Sequence, residues 1–223
     1  VSAFSDITAD VQIEFKLARK DPDGDCHSGI NRIVSQETYV GDEAVKFLIQ
    51  WPRNRYLNIW VCADAGGAAG YSFYPGSVND SNDAYLDGIV IMDRYTGSIG
   101  TSNNYRSRVL THEIGHWFNL YHIWGDSNCG NDNCNDTPTQ QTSNYSCPSF
   151  PHVTCSNGPN GDMFMNYMDY TDDACMNIFS QDQKTRMIAA INTYRSGLIT
   201  SNGCQGSGYG CTDPTALNYD PSA

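Results

Sequence analysis

Positive charge is scarce in this chain: 13 Lys and Arg stand against 25 Asp and Glu, a net charge of −12. A surface that acidic repels phosphate backbones and anionic headgroups, so neither nucleic acid nor a membrane surface is an expected partner. No apolar run approaches the roughly 20 residues that a bilayer-spanning helix needs. The Gly/Ala stretch at residues 66–70 lacks the G-x-G-x-x-G spacing, and no helical pattern follows it, which argues against a phosphate-cradling loop. No internal repeat is visible, which argues against solenoids and propellers. No leader precedes Val1, which reads as the start of a mature chain, so export must be inferred elsewhere.

What is present is room for one sizeable domain and a small appendage: 223 residues, 39% hydrophobic and 12% aromatic. Five of the nine Cys (Cys129, Cys134, Cys147, Cys155 and Cys175) crowd a stretch full of Asn, Asp, Gly, Ser and Pro. Disulfides replace a missing core in such a setting, which implies an oxidising compartment. The rival, a structural zinc site on Cys129 and Cys134, lacks a second closely spaced pair.

Apolar and polar residues alternate over residues 11–17, which predicts a strand, followed by a turn at Asp21-Pro-Asp-Gly24. Residues 43–50 read as a short helix, and 56–62 and 88–93 as buried strands. Tyr71, Ser72, Phe73 and Tyr74, ahead of Pro75, read as an edge strand. A helix is predicted over 105–120, and Ser180 with Gln183 forms a capping box opening a final helix to about 198. After residue 200 the composition turns to Gly and Ser, a linker into a short Cys211-containing segment. That segment resembles the start of a Cys-containing repeat at the C-termini of secreted Bacteroidetes-type proteins, cut short.

Residues 112–122 read His-Glu-Ile-Gly-His-Trp-Phe-Asn-Leu-Tyr-His and hold three of the five histidines. Positions i and i+4 share a helical face, so His112 and His116 aim at one ion. Glu113 sits one residue round, placed to hold a water without being a ligand. His122 lies beyond that face, so the chain must turn sharply before it. The spacing is similar to the metzincin motif, with Asn119 where that motif has Gly; Asn tolerates positive φ next best. Three imidazoles predict a catalytic zinc with an open position, and Glu113 a general base for attack by zinc-bound water.

The motifs Leu57-Asn-Ile-Trp-Val61, Gly70-Tyr-Ser-Phe-Tyr-Pro75, the histidine stretch, Asp136-Thr-Pro138 and the segment Asn166 to Cys175 together resemble the pappalysin family of metzincin metalloproteases. Its bacterial ulilysin-like and cytophagalysin-like members are the more similar. The resemblance implies an α+β fold. A mixed twisted sheet carries the active-site helix above a loop-rich, disulfide-bonded lower subdomain that ends in a C-terminal helix. It places a catalytic domain at 1–199 (upper part about 1–122, lower part about 123–199) and a linker with a truncated module at 200–223. It makes Met168 the Met-turn floor and Tyr170 a donor to the oxyanion, and it lays substrate along Tyr71 to Tyr74.

The same resemblance implies bridges Cys129–Cys155 and Cys147–Cys175, and calcium at Asp132, Asn135 and Thr137, whose hard oxygens suit that ion. For Cys26, Cys62, Cys134 and Cys204 it offers no counterpart; Cys26–Cys62 and Cys134–Cys204 are the pairings taken. Basic-specific relatives carry Asp where this chain has Ala174, so a broader cleavage preference is expected unless Asp172 or Asp173 turns inward. The expectation is a secreted, bacterial, monomeric endopeptidase. It acts on protein or peptide substrates and is made as a zymogen whose signal peptide and pro-segment lie outside this sequence. A catalytically inactive binding or adhesion module is the alternative, and zinc hydrolysis of a non-peptide substrate a third reading.

Overall fold

The computed structural model of the chain describes residues 2–204. Of the linker and truncated module expected at 200–223, the residues from 205 onward, Cys211 included, lie outside the described residues. Regular structure is sparse. The strands are β1 (Thr8–Ala9), β2 (Ile59–Cys62), β3 (Gly70–Ser72), β4 (Ile89–Met92) and β5 (Phe179–Ser180). The α-helices are α1 (Glu37–Val40), α2 (Val109–Trp117), α3 (Gln181–Tyr194) and α4 (Ser196–Ile199).

The central sheet runs β2-β4-β3, with β2 parallel and β3 antiparallel to β4. β4 is buried along its whole length, and its period of two divides two cores. Ile89 and Ile91 enter the main core with Trp117, Leu120 and Met168, while Val90 and Met92 enter a smaller one with Trp60 and Cys62. β3 is an edge, as the Pro75 that follows it predicts. α2 lies against β3 and β4 on one side and the Met163–Met168 segment on the other. The expected α+β arrangement is present: a mixed sheet, the histidine helix, a loop-rich region with two disulfides, and the C-terminal helices.

Several local expectations need correction. Residues 11–17 form no strand: Gln12 adopts φ 57, Val11 and Ile13 pack against the core, Phe15 meets Phe118 but stays largely exposed, and Leu17 is exposed. The N-terminal pairing is made instead by β1, antiparallel to β5. The predicted helix over 43–50 is a 3-10 turn, Glu43–Phe47. The capping box holds as predicted, with Ser180 and Gln183 satisfying each other's main-chain donors, but the final helix breaks at Arg195. There φ falls to −131° while the side chain buries against Asp87 (Nη1 to Oδ2, 2.8 Å) and over the Trp117 ring (3.6 Å).

Cys129–Cys155 and Cys147–Cys175 are bridged as expected. The other two pairings are wrong. Cys62 faces into the small core, Cys134 is buried beside Asp132, and Cys204 is exposed with its thiol directed at Lys16 O; all three are free thiols. Cys62 is turned inward from β2, and a buried Cys134 and an exposed Cys204 present their thiols to different surroundings, so neither expected bridge forms.

Candidate active site

α2 places His112 and His116 one turn apart, with their Nε2 atoms 3.1 Å from each other. Beyond Trp117 the helix closes: the Leu120 amide bonds Gly115 O at 2.9 Å, and Asn119 takes φ 72, the left-handed turn the sequence demanded. This reversal returns His122 to the face it had left, its Nε2 3.1 Å from that of His116. The three ligand atoms lie within 4.8 Å of one another.

Each ring is oriented from behind. His112 Nδ1 bonds Tyr167 O at 2.7 Å, His116 Nδ1 bonds Leu120 O at 2.8 Å, and His122 Nδ1 bonds Asp126 Oδ1 at 2.5 Å. A ring that donates from Nδ1 keeps its Nε2 lone pair for an ion. Burial, reinforced by the neighbouring rings, holds His112 well below the usual imidazole range and His116 down at about 4, so both stay neutral as ligation requires.

Glu113 is buried beside the histidines, and burial pushes its carboxyl up to about 8 against the opposing pull of Ser72. Ser72 Oγ, on edge strand β3, donates to Glu113 O at 2.8 Å and lies 3.4 Å from its carboxylate. A Cβ at Gly70 would sit 3.2 Å from Glu113 Cγ, so glycine there lets the strand approach the helix closely. Tyr170 Oη stands 2.9 Å from His122 Nε2, and burial raises its phenol to about 12, keeping the proton for donation. Met168 is fully buried under α2, where a Cβ on Gly115 would come 2.3 Å from its Sδ.

The three histidines, Glu113, Ser72 and Tyr170 line a cleft of about 720 Å³. Tyr71, Ser72, Tyr74, Asp172 and Asp173 line it as expected, but Phe73 and Ala174 do not. Phe73 turns away from the cleft, packing edge-on against Tyr71 beneath the Lys46 ammonium, and Ala174 is exposed outside. Asp173 is committed to the start of α2, accepting from the Arg108 amide at 2.6 Å, which leaves Asp172 as the open carboxylate of the pair. In the loop read for calcium, Thr137 Oγ1 donates to Asp132 at 2.8 Å, and Asn135 gives its amide to Asp182.

Residues 39–192 match the model of a peptidase family described as Pregnancy-associated plasma protein-A. The chain belongs to the pappalysin family. An extracellular metalloprotease of Neurospora crassa is 42% identical over 144 residues, 63% of this chain and 50% of that protein. Mirolysin in complex with compound 9 superposes with a TM-score of 0.83 at 39% identity, covering 92% of this chain and 82% of mirolysin. Mature mirolysin of Tannerella forsythia, in complex with a cleaved peptide, gives a TM-score of 0.81 at the same identity and coverage. The chain spans about half the length of the curated relatives it matches. Metalloprotease kinship implies a metal ion, and the three histidines are the one cluster of this kind among the described residues.

Reading the sequence of this pappalysin missed the residues behind its ligands. Asp126 carries a weak signal, a carboxylate four residues past His122. Gly115 carries a stronger one, a glycine inside a helix, which lowers helix stability and so demands a packing reason.

Proposed function

We propose that this pappalysin is a secreted, zinc-dependent endopeptidase. The observation that carries the reading is the convergence of three imidazole Nε2 atoms in a cleft that also holds Glu113 and Tyr170. The donor set fits zinc: three nitrogens, each ring oriented from behind by an acceptor, with one side open to the cleft. Zinc there supplies Lewis acidity, which polarises a scissile carbonyl and brings the pKa of water toward neutrality.

Glu113 takes the proton of the attacking water and passes it to the leaving amine; its buried, Ser72-tethered carboxyl is positioned for that exchange. Tyr170 swings its protonated hydroxyl from His122 to the developing oxyanion. Substrate lies along the open edge of β3, bonding main chain to main chain, which selects extended peptide. With Ala174 outside the cleft and Asp173 tied to α2, Asp172, which lines the cleft, is the carboxylate left to favour a basic side chain.

Two disulfides and relatives named extracellular support secretion. Calcium at Asp132, Asn135 and Thr137 is supported by the burial of Asp132, whose charge needs compensation. Residues 1–199 are the catalytic unit in this reading. Casein or gelatin digestion by the chain, with and without a chelator and with zinc restored, tests the proposal. Chelator-insensitive digestion, or none at all from zinc-loaded protein, would overturn it.

A further inference from the structure

The three histidines are not held alike. His112 and His116 give Nδ1 to main-chain carbonyls fixed by the fold itself. His122 has left the helix, and its Nδ1 meets a side chain, Asp126 Oδ1, at 2.5 Å. The chain bends tightly to make this contact. The Gly125 amide bonds His122 O at 2.8 Å, and Gly125 and Asp126 take φ 62 and 54 in succession. A Cβ at Gly125 would fall 2.3 Å from Asn131 N, so only glycine fits. Between them Trp124 lays its ring flat on His122, centroids 4.3 Å apart at 7°. His122 is thus gripped on its face by Trp124 and on its edge by Asp126.

We propose that Asp126 is a positioning residue of the metal centre. Its carboxylate, with Trp124 against the ring, sets the rotation and tautomer of His122 so that Nε2 meets the ion. The two helical ligands need no such partner because main-chain carbonyls already orient them. An anionic acceptor also strengthens the ring as a donor to the metal, which a carbonyl does less. The inference rests on the three histidines being zinc ligands.

The test is Asp126→Gly beside Asp126→Asn in the full chain. Glycine accepts the left-handed backbone and removes the acceptor, whereas Asn also tolerates that backbone but keeps a neutral acceptor. Zn2+ affinity is read by competition with a chromophoric chelator, geometry by the absorption of the Co2+-substituted protein, and turnover as kcat and KM on one peptide. Asp126→Gly is expected to lose about 10–100-fold in Zn2+ affinity. Its Co2+ spectrum shifts and kcat falls at little-changed KM, while the metal-free form melts with the metal-free parent. Asp126→Asn is expected at the lower end, about tenfold. Parent-like Zn2+ affinity and Co2+ spectrum in Asp126→Gly overturn the inference; should that variant not fold, parent-like values in Asp126→Asn do so. If the parent itself binds no stoichiometric Zn2+, the histidine reading has failed instead, and the two failures are told apart.

Discussion

The cleft has two walls built on different principles. One wall, carrying His112, His116, Glu113 and Ser72, stands on α2 and β3, held by backbone ladders and the buried β4. The other, carrying His122 and Tyr170 with Met168 buried behind them, is almost free of regular structure. Side chains staple its loops instead. Asp169, fully buried, accepts from Gln140, from Tyr170 N and twice from Asn144, while Asp162 takes Thr154, Asn157 and Asn144. Two disulfides close the same region. Rigidity in the first wall is distributed over many equivalent hydrogen bonds; in the second it is concentrated in a few irreplaceable side chains.

The walls are expected to fail differently. Glu113→Ala, on the regular wall, should lower kcat by about 10²–10⁴-fold, the value of a general base. Metal content by elemental analysis should be unchanged, since Glu113 touches no ligand nitrogen; metal loss in that variant would show it to be a ligand. Tyr170→Phe, on the looped wall, should lower kcat by about 10–100-fold, somewhat less than the loss of a rigid oxyanion donor, because the hydroxyl must move to act. Undiminished kcat would reduce Tyr170 to packing.

Replacing Cys129 and Cys155 together by Ser should remove about 2–4 kcal/mol of stability in urea. Amide exchange should quicken in the loops around residues 129–155 while β2, β4 and α2 keep their protection. Equal acceleration in the sheet would erase the contrast between walls. The smallest effect concerns Asp132, whose carboxyl burial lifts from its ordinary 3.8 to about 6. The folded chain therefore binds more protons than the unfolded one between those values. The stability this contributes is complete below about 4 and lost as pH rises through about 6. Asp132→Asn should flatten melting temperature over that window, and calcium at pH 7 should raise it in the parent only. A parent-like slope in Asp132→Asn would assign the window to another group.

The same contrast governs how far the sequence could be read. Spacing within one helix is local, so the face shared by His112 and His116 and the Ser180 capping box were legible, as was the buried strand at β4. Asn119 was legible as a turn because a third ligand at that offset demanded one. Residues 11–17 misled because alternation describes a strand only where a partner strand exists, and none among the described residues meets it. The break at Arg195 and the turning away of Phe73 and Ala174 depend on long-range contacts that no window of sequence contains. The thiols of Cys62, Cys134 and Cys204 show that cysteines left over from two bridges need not pair.

The pairing of β1 with β5 joins Thr8 to Ser180 and Ala9 to Phe179 across nearly the whole described chain. Phe4 and Ile7, just before β1, pack in the same cluster as Met163, Met165 and Met168. A polypeptide leaves the ribosome from its N-terminus at about 5–20 residues per second, so β1 must wait on the order of ten seconds or more for its partner. The floor beneath the histidines is therefore completed late, after the helix above it has emerged. A nascent chain stalled before residue 180 would carry all three histidines and still lack the β1–β5 pairing that helps close the floor beneath them.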